Sequence, residues 1–315
     1  MDRVTLALWA TNMAFRLAGR DAFLALVRAQ MSRARALGAD IVVMPEHLGE
    51  LWLQWAPPGL PESEEIPWIA REAEILVPPL LDTAERLGLV CLAGSFPARE
   101  GAGYRNRAVL RLPDGRTLYQ DKLALTPDER DPAAWMLEPG EELRVFRWNG
   151  IRIAVLVCLD VEQPDLAARL ARDPPDLVLV PTDTARLSGY HRVVACARAR
   201  AVELCCAVAV AGGVGTVPVP PERPNVSGAG LYVPCETDLG STGVWAETGP
   251  LAHTSGPGPL LLARAVPLGA LRRLRAGAAE VWPGWRRCAP GMFALREYER
   301  SDEPIEHQPA QETIG

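Results

Sequence analysis

The sequence predicts an α/β protein, and three observations predict it. Short apolar runs without alternation, such as Ile153–Val157, Asp176–Val180 and Ala207–Ala211, read as strands buried on both faces. Between them lie segments with apolar residues at helical spacing. Turn chemistry, above all Asn149-Gly150, marks where strands fold back on themselves. With 315 residues, the chain can build one large core or two smaller ones.

The elements follow in order. Val4–Leu8 reads as a first strand. Ala22–Leu37 carries Phe23, Leu26, Val27, Met31 and Ala34 on one helical side and stops at Gly38. Asp40–Met44 is a short buried strand that ends in Pro45-Glu46-His47. Residues 49–68, rich in Trp, Pro and acid, are expected to form an ordered loop whose Trp52 and Trp55 either line a pocket or anchor the loop. Ile69–Arg86 is a second amphipathic helix that Pro78-Pro79 should kink or split. Leu89–Gly94 is a strand. Asn106–Leu112 and Thr117–Asp121 form a hairpin around Pro113-Asp-Gly115, and its second arm delivers Lys122. Leu143–Trp148 and Ile151–Val157 form another hairpin, which delivers Cys158. Pro164–Arg172 and Tyr190–Leu204 are helices, with Asp176–Val180 between them leading into Pro181-Thr-Asp183. After Ala207–Ala211, residues 213–259 hold several short strand-like pieces. Leu260–Val266 is the last strand and Pro267–Leu274 a short basic helix. No linker splits residues 1–288, so they are expected to form one domain. The acidic tail 289–315 is either an arm or disordered chain.

Bulk properties narrow the function. A net charge of −6 without any Lys/Arg-rich run argues against nucleic acid as a partner. The N-terminal apolar run is too short for a signal peptide or a membrane span. Seven cysteines, an odd number, include the adjacent Cys205-Cys206 in an apolar run, which fits a reducing, cytoplasmic setting. The four histidines, at 47, 191, 253 and 307, have no zinc spacing, so neither a metal nor a cofactor is expected.

Three β-type segments end in Glu46, Lys122 and Cys158. Each has an ordinary explanation by itself: an exposed loop acid, a solvated edge lysine, a small core thiol. Strand ends in α/β folds gather along one edge, where ligands bind. There a thiol attacks a carbonyl carbon, a carboxylate takes its proton and an ammonium holds the oxyanion. A helix starting just after Cys158 is expected to favour the thiolate. Arg186, His191 and Arg192, following Asp183, either bind a substrate carboxylate or form a solvated helix start.

Val42-Val-Met-Pro-Glu46, Tyr119-Gln-Asp-Lys-Leu123 and Cys158-Leu-Asp160 resemble the Glu-Lys-Cys motifs of the nitrilase superfamily of carbon–nitrogen hydrolases. Tyr104-Arg-Asn-Arg-Ala108, Thr126-Pro-Asp-Glu129, Pro139-Gly140, Val180-Pro-Thr182 and Ala197-Arg-Ala-Arg-Ala-Val-Glu203 agree with it. Within that superfamily the pattern most resembles the branch often fused to an acetyltransferase domain, which this chain is expected to lack. The resemblance implies an α-β-β-α sandwich and pairing into homodimers or higher even oligomers, with a C-terminal arm over the partner. It implies Glu46 as general base, Lys122 and the Leu159 N–H as oxyanion donors, Cys158 as nucleophile and Glu129 as a positioning glutamate. Trp52, Asp183, Arg186 and His191 are the substrate-binding candidates. The implied activity is hydrolysis of a small carboxamide through a thioester, with amides preferred over nitriles. An acyltransferase using the same thioester, or a silent scaffold, are the alternatives. Leu159 and Gln163 stand where the family has aromatics and Asp165 where it has Glu, so pocket shape is this chain's own.

Overall fold

The computed structural model describes residues 1–280. The expected domain limit at 288 and the tail beyond it lie outside the described residues. Fourteen strands are described among them: β1 Val4–Trp9, β2 Ile41–Val43, β3 Val90–Glu100, β4 Gly103–Arg111, β5 Thr117–Asp121, β6 Val145–Trp148, β7 Ile151–Val155, β8 Leu177–Thr182, β9 Ala207–Gly212, β10 Gly215–Val217, β11 Arg223–Asn225, β12 Ala229–Tyr232, β13 Val244–Glu247 and β14 Leu260–Val266. The helices are α1 Arg20–Ala36, α2 Glu62–Arg86, α3 Pro127–Arg130, α4 Pro164–Leu170, α5 Leu187–Leu204 and α6 Leu268–Arg273.

Two six-stranded sheets form, in the orders β14-β1-β2-β3-β4-β5 and β13-β12-β9-β8-β7-β6, beside a small β10-β11 ribbon. They touch face to face through β1 with β9 and β3 with β8, while α2 covers the first sheet and α5 the second. This is the expected four-layer sandwich. Side-chain alternation makes the layers. Ala7, Trp9, Val42, Met44, Cys91 and Ala93 join Phe23, Val27 and Met31 of α1 in one cluster. The alternate residues Leu6, Leu8, Ile41, Val43, Val90 and Leu92, all fully buried, point to the sheet's other face. Both faces are covered, so the strands need no polar side.

Direction matters for the site. β2 runs parallel to β1 and β3. Two antiparallel steps, β3 to β4 and β4 to β5, restore that direction in β5. Lys122 therefore leaves its sheet at the same edge as Glu46. In the second sheet β7 and β8 are parallel, so Cys158 and Asp183 also leave at one edge.

Several expectations change. α2 begins at Glu62 and runs unbroken past Pro67, Pro78 and Pro79. The lost ladder bonds are outweighed by a buried face that includes Ile69, Leu76, Leu80 and Leu81, and the Thr83 hydroxyl donates to the Pro79 carbonyl at 2.9 Å. Glu62, Glu64 and Glu65 form its first turn, where the helix dipole favours acid. The expected loop 49–68 is thus a 3-10 helix, Leu48–Trp55, followed by a connection into α2. The strand expected to stop at Gly94 continues to Glu100, with a register shift around Gly94. The Asn149-Gly150 turn forms as expected, with positive φ at both residues. No helix among the described residues is long and apolar enough to cross a membrane.

Candidate active site

Glu46 follows β2 across Pro45, and a glycine makes room for that turn. A Cβ on Gly94 would stand 2.1 Å from the Pro45 carbonyl oxygen, and Gly94 has φ +84°. Lys122 is aligned by its own N–H, which donates to the Asn106 carbonyl at 2.8 Å. Cys158 has φ 47°, a left-handed conformation that costs a non-glycine residue free energy and marks functional turns.

The carboxylates and the ammonium form one buried network. Lys122 Nζ donates to Glu46 Oε1 at 2.8 Å and to Glu129 Oε2 at 2.7 Å, and all three side chains are buried. Asn106 Nδ2 donates to Glu46 Oε1 at 2.9 Å and to Glu129 Oε1 at 3.1 Å. Turning that amide over would set its oxygen against two carboxylate oxygens, so the nitrogen belongs there. The Asp183 N–H donates to Glu46 Oε2 at 3.0 Å. Glu129 is placed by α3, where it closes a capping box with Thr126. Burial would lower the Lys122 pKa, but Glu46 and Glu129 outweigh it and hold the ammonium above the usual lysine value. Burial would raise Glu129, but Lys122 and His47 hold it below the carboxylate range. His47, 3.3 Å from Glu129 Oε1, is raised to about 9 because the charges of Glu46 and Glu129 overcome its burial.

The thiol departs from expectation. A 3-10 turn, Cys158–Glu162, follows β7, and α4 begins only at Pro164, so the helix expected directly after the sulfur starts six residues on. Burial first, and the Glu46 charge second, push the Cys158 thiol well above its ordinary value, against the lowering effect of Lys122. Thr182 Oγ1 donates to Sγ at 3.2 Å, and Sγ–H reaches the Asp183 carbonyl at 3.5 Å. Burial and the neighbouring carboxylate thus both favour the protonated thiol.

Glu46, Lys122, Glu129, Cys158, Leu159, Asp183, Arg186 and Arg192 line one cavity of about 650 Å³, within the range of small-molecule sites. Trp52 and His191 stand apart from its wall. Trp52 is fully buried, stacked on Phe96 at 5.2 Å and edge-on to Phe23, which is a packing anchor. His191 is exposed on α5 against Tyr190. Trp135, which sequence reasoning passed over, lines the cavity and packs edge-on to His47 at 4.7 Å. Asn106, Thr182 and Asp160 were also missed as contributors; their signal was a polar residue at a buried position. Glu46, His47 and Glu129 hold ligand atoms within 4.8 Å of one another, a spacing that suits a metal. Lys122 already supplies a cation between the two carboxylates.

Comparison with known proteins gives the family. The carbon-nitrogen hydrolase family model matches residues 6–256. A probable hydrolase of Bacillus subtilis (strain 168) is 29% identical over 214 residues, 67% of this chain and 41% of that protein. An (R)-stereoselective amidase of a Pseudomonas species is 28% identical over 43% of this chain and 48% of its own length. The chain thus spans about half the length of the curated relatives it matches. Among solved structures, an amidase from Nesterenkonia sp. superposes with TM-score 0.64 at 25% identity, covering 87% of this chain and 94% of that one. Nit3 of Saccharomyces cerevisiae, of the nitrilase superfamily, shares the fold at TM-score 0.64 and 17% identity, over 89% and 96% of the two chains. With its four-layer sandwich and a family match over most of its length, this chain belongs to the carbon–nitrogen hydrolases, the nitrilase superfamily of enzymes.

Proposed function

We propose that this protein is a cysteine-dependent amidase that hydrolyses a small carboxamide through a thioester, without metal or cofactor. The observation that carries the reading is Lys122 Nζ held between Glu46 and Glu129 in the cavity that Cys158 lines. Glu46 takes the Cys158 proton as sulfur attacks the amide carbon, so charge separation arises only when substrate is present. Lys122 and the Leu159 N–H stabilise the oxyanion. Collapse of the tetrahedral adduct breaks the C–N bond, and the amine leaves with the proton from Glu46. Glu46 then deprotonates a water that attacks the thioester, releasing the acid and restoring the thiol. Glu129 keeps Lys122 charged and placed. Cytoplasmic residence, read from the cysteines and the N-terminal sequence, and a homodimer or higher even assembly, implied by the family resemblance, belong to the same reading.

Intact-mass measurement on protein mixed with small amides tests the reading, with Cys158→Ala as control. Expected is an acyl adduct, or turnover to the acid, that vanishes in the control. Slow, uniform labelling of all thiols with no adduct would turn the reading to a silent scaffold. Product that appears only when a second amine is supplied would turn it to an acyltransferase.

A further inference from the structure

Glu50 lies one turn past Glu46 in the 3-10 helix Leu48–Trp55 and lines the same cavity as Cys158. It is only 3% exposed, and its Oε2 is buried with no hydrogen-bond partner among the described residues. A buried carboxylate oxygen without a donor is costly, and such a group in a native cavity calls for a partner that the fold does not supply. Asp183 stands on the cavity wall as well. Its backbone is engaged, N–H to Glu46 and carbonyl to Cys158, but no hydrogen bond to its carboxyl is found among the described residues. The two carboxyls feel each other: burial raises Asp183 well above the carboxylate range, and the charge of Glu50 raises it further. Burial raises Glu50 too, against the lowering effect of His47 and Arg223.

The cations that line the cavity are committed elsewhere or lie at its mouth. Lys122 serves Glu46 and Glu129. The charge of Arg223 is felt at Glu50, but its Nη2 contacts both oxygens of Glu65 at 2.8 Å, and its buried Nη1, like Glu50 Oε2, has no hydrogen-bond partner among the described residues, so the two are not bonded to each other. Arg192 reaches Glu162 at 3.2 Å, and Arg186 is exposed. His47 lies 3.3 Å from Glu129 and 3.6 Å from Glu46. The wall therefore carries more carboxyls than cations, and neither Glu50 nor Asp183 has a cation in hydrogen-bonding contact with its carboxyl among the described residues.

We propose that Glu50 and Asp183 form the subsite for a cationic group of the substrate, so that the amide hydrolysed carries an ammonium. Because Asp183 touches both Glu46 and Cys158 through its backbone, the ammonium lies within a few bonds of the reacting carbonyl. A cation entering this wall displaces a proton from the carboxyl pair to solvent. The assignment deepens the amidase reading and rests on it for the word substrate; the binding itself is measured without turnover.

The test is calorimetric titration of the Cys158→Ala protein with three amides of matched length: 3-aminopropanamide, butanamide and succinamate. Expected is at least about tenfold tighter binding of 3-aminopropanamide than of butanamide, with succinamate weakest and a buffer-dependent heat that reports proton release. Adding Glu50→Gln, in protein shown folded by its unfolding transition, should remove most of that preference; Asp183→Asn serves the same purpose if Glu50→Gln does not fold. Equal binding of the neutral amide, preference for succinamate, no binding of 3-aminopropanamide, or a preference untouched by Glu50→Gln each overturns the subsite. Turnover of butanamide through Cys158 without any ammonium preference sinks the subsite and leaves the amidase. Ammonium-selective binding with no acyl adduct in the unsubstituted protein does the reverse.

Discussion

The Asp160 carboxylate accepts the Ala124 N–H at 2.7 Å, tying the Cys158 turn to the segment that leaves Lys122. It also accepts the Leu123 N–H at 3.0 Å with the same oxygen and the Val157 N–H at 3.0 Å with the other. One fully buried side chain thus fixes the backbone on both sides of the thiol–ammonium junction. Burial pushes Asp160 up to about 7 although three N–H groups favour its ionised form.

Asp160→Asn keeps the shape and loses one acceptor. The new NH₂ meets an N–H that has no other partner, a cost of about 1–3 kcal/mol for a buried unsatisfied group. Displacement of the two turns should slow thioester formation by roughly tenfold to a hundredfold. Single-turnover acylation and a denaturant midpoint read both effects; acylation at the unsubstituted rate would mean that the clamp does not set the geometry.

Lys122→Met tests the buried triad. Removing the ammonium leaves Glu46 and Glu129 facing each other with only His47 beside them, and breaking a buried pair costs about 3–5 kcal/mol. Adding Glu129→Gln removes one of the stranded charges, so the double variant should regain part of that stability. Acylation should stay lost in both. A double variant no more stable than Lys122→Met would show that the two carboxylates do not repel as the geometry requires.

The site was legible where a strong local signal ended in an unusual residue. Met44-Pro45-Glu46 and Cys158 close apolar strands and Lys122 closes a hairpin arm. Glu129 came only with the family resemblance, because its segment reads as a charged loop and the capping box with Thr126 shows only in the fold. Asp160, Asn106 and Thr182 were not legible in their roles because their partners lie 36, 60 and 24 residues away. Sequence spacing does not carry such contacts. Trp52 could face a pocket or a core from its sequence alone, and only the aromatic faces of Phe23 and Phe96 decide for the core. The prolines of α2 misled for the opposite reason: a local penalty was visible, and the buried face that outweighs it was not.

His47 gives the fold a pH dependence of definite sign. Its value rises from 6.5 to about 9 on folding, so the folded state binds the proton more tightly. That stability is fully present below about 6.5 and is lost as pH climbs toward about 9. Between pH 6.5 and 8, before buried thiols contribute, the loss should be about 1–2 kcal/mol. Denaturant midpoints across that window should fall for the unsubstituted protein and flatten for His47→Gln. Parallel curves for the two proteins would place the titration elsewhere.

A paired glycine substitution separates backbone strain from displacement of Glu46. Gly94 and Gly88 both have positive φ, +84° and +66°. Alanine at either position therefore carries a strain of about 1–3 kcal/mol. Only at Gly94 does the added methyl collide with something, the Pro45 carbonyl oxygen one residue before Glu46; at Gly88 nothing lies within 4 Å. Gly94→Ala must shift that carbonyl or the strand, and Glu46 moves with it. Acylation should fall about tenfold or more in Gly94→Ala while Gly88→Ala, similarly destabilised, stays within about twofold of the unsubstituted rate. Measuring both rates well below each protein's unfolding temperature keeps loss of fold out of the comparison. If the two variants slow acylation equally, the close approach of Gly94 to Pro45 serves packing and not the position of Glu46.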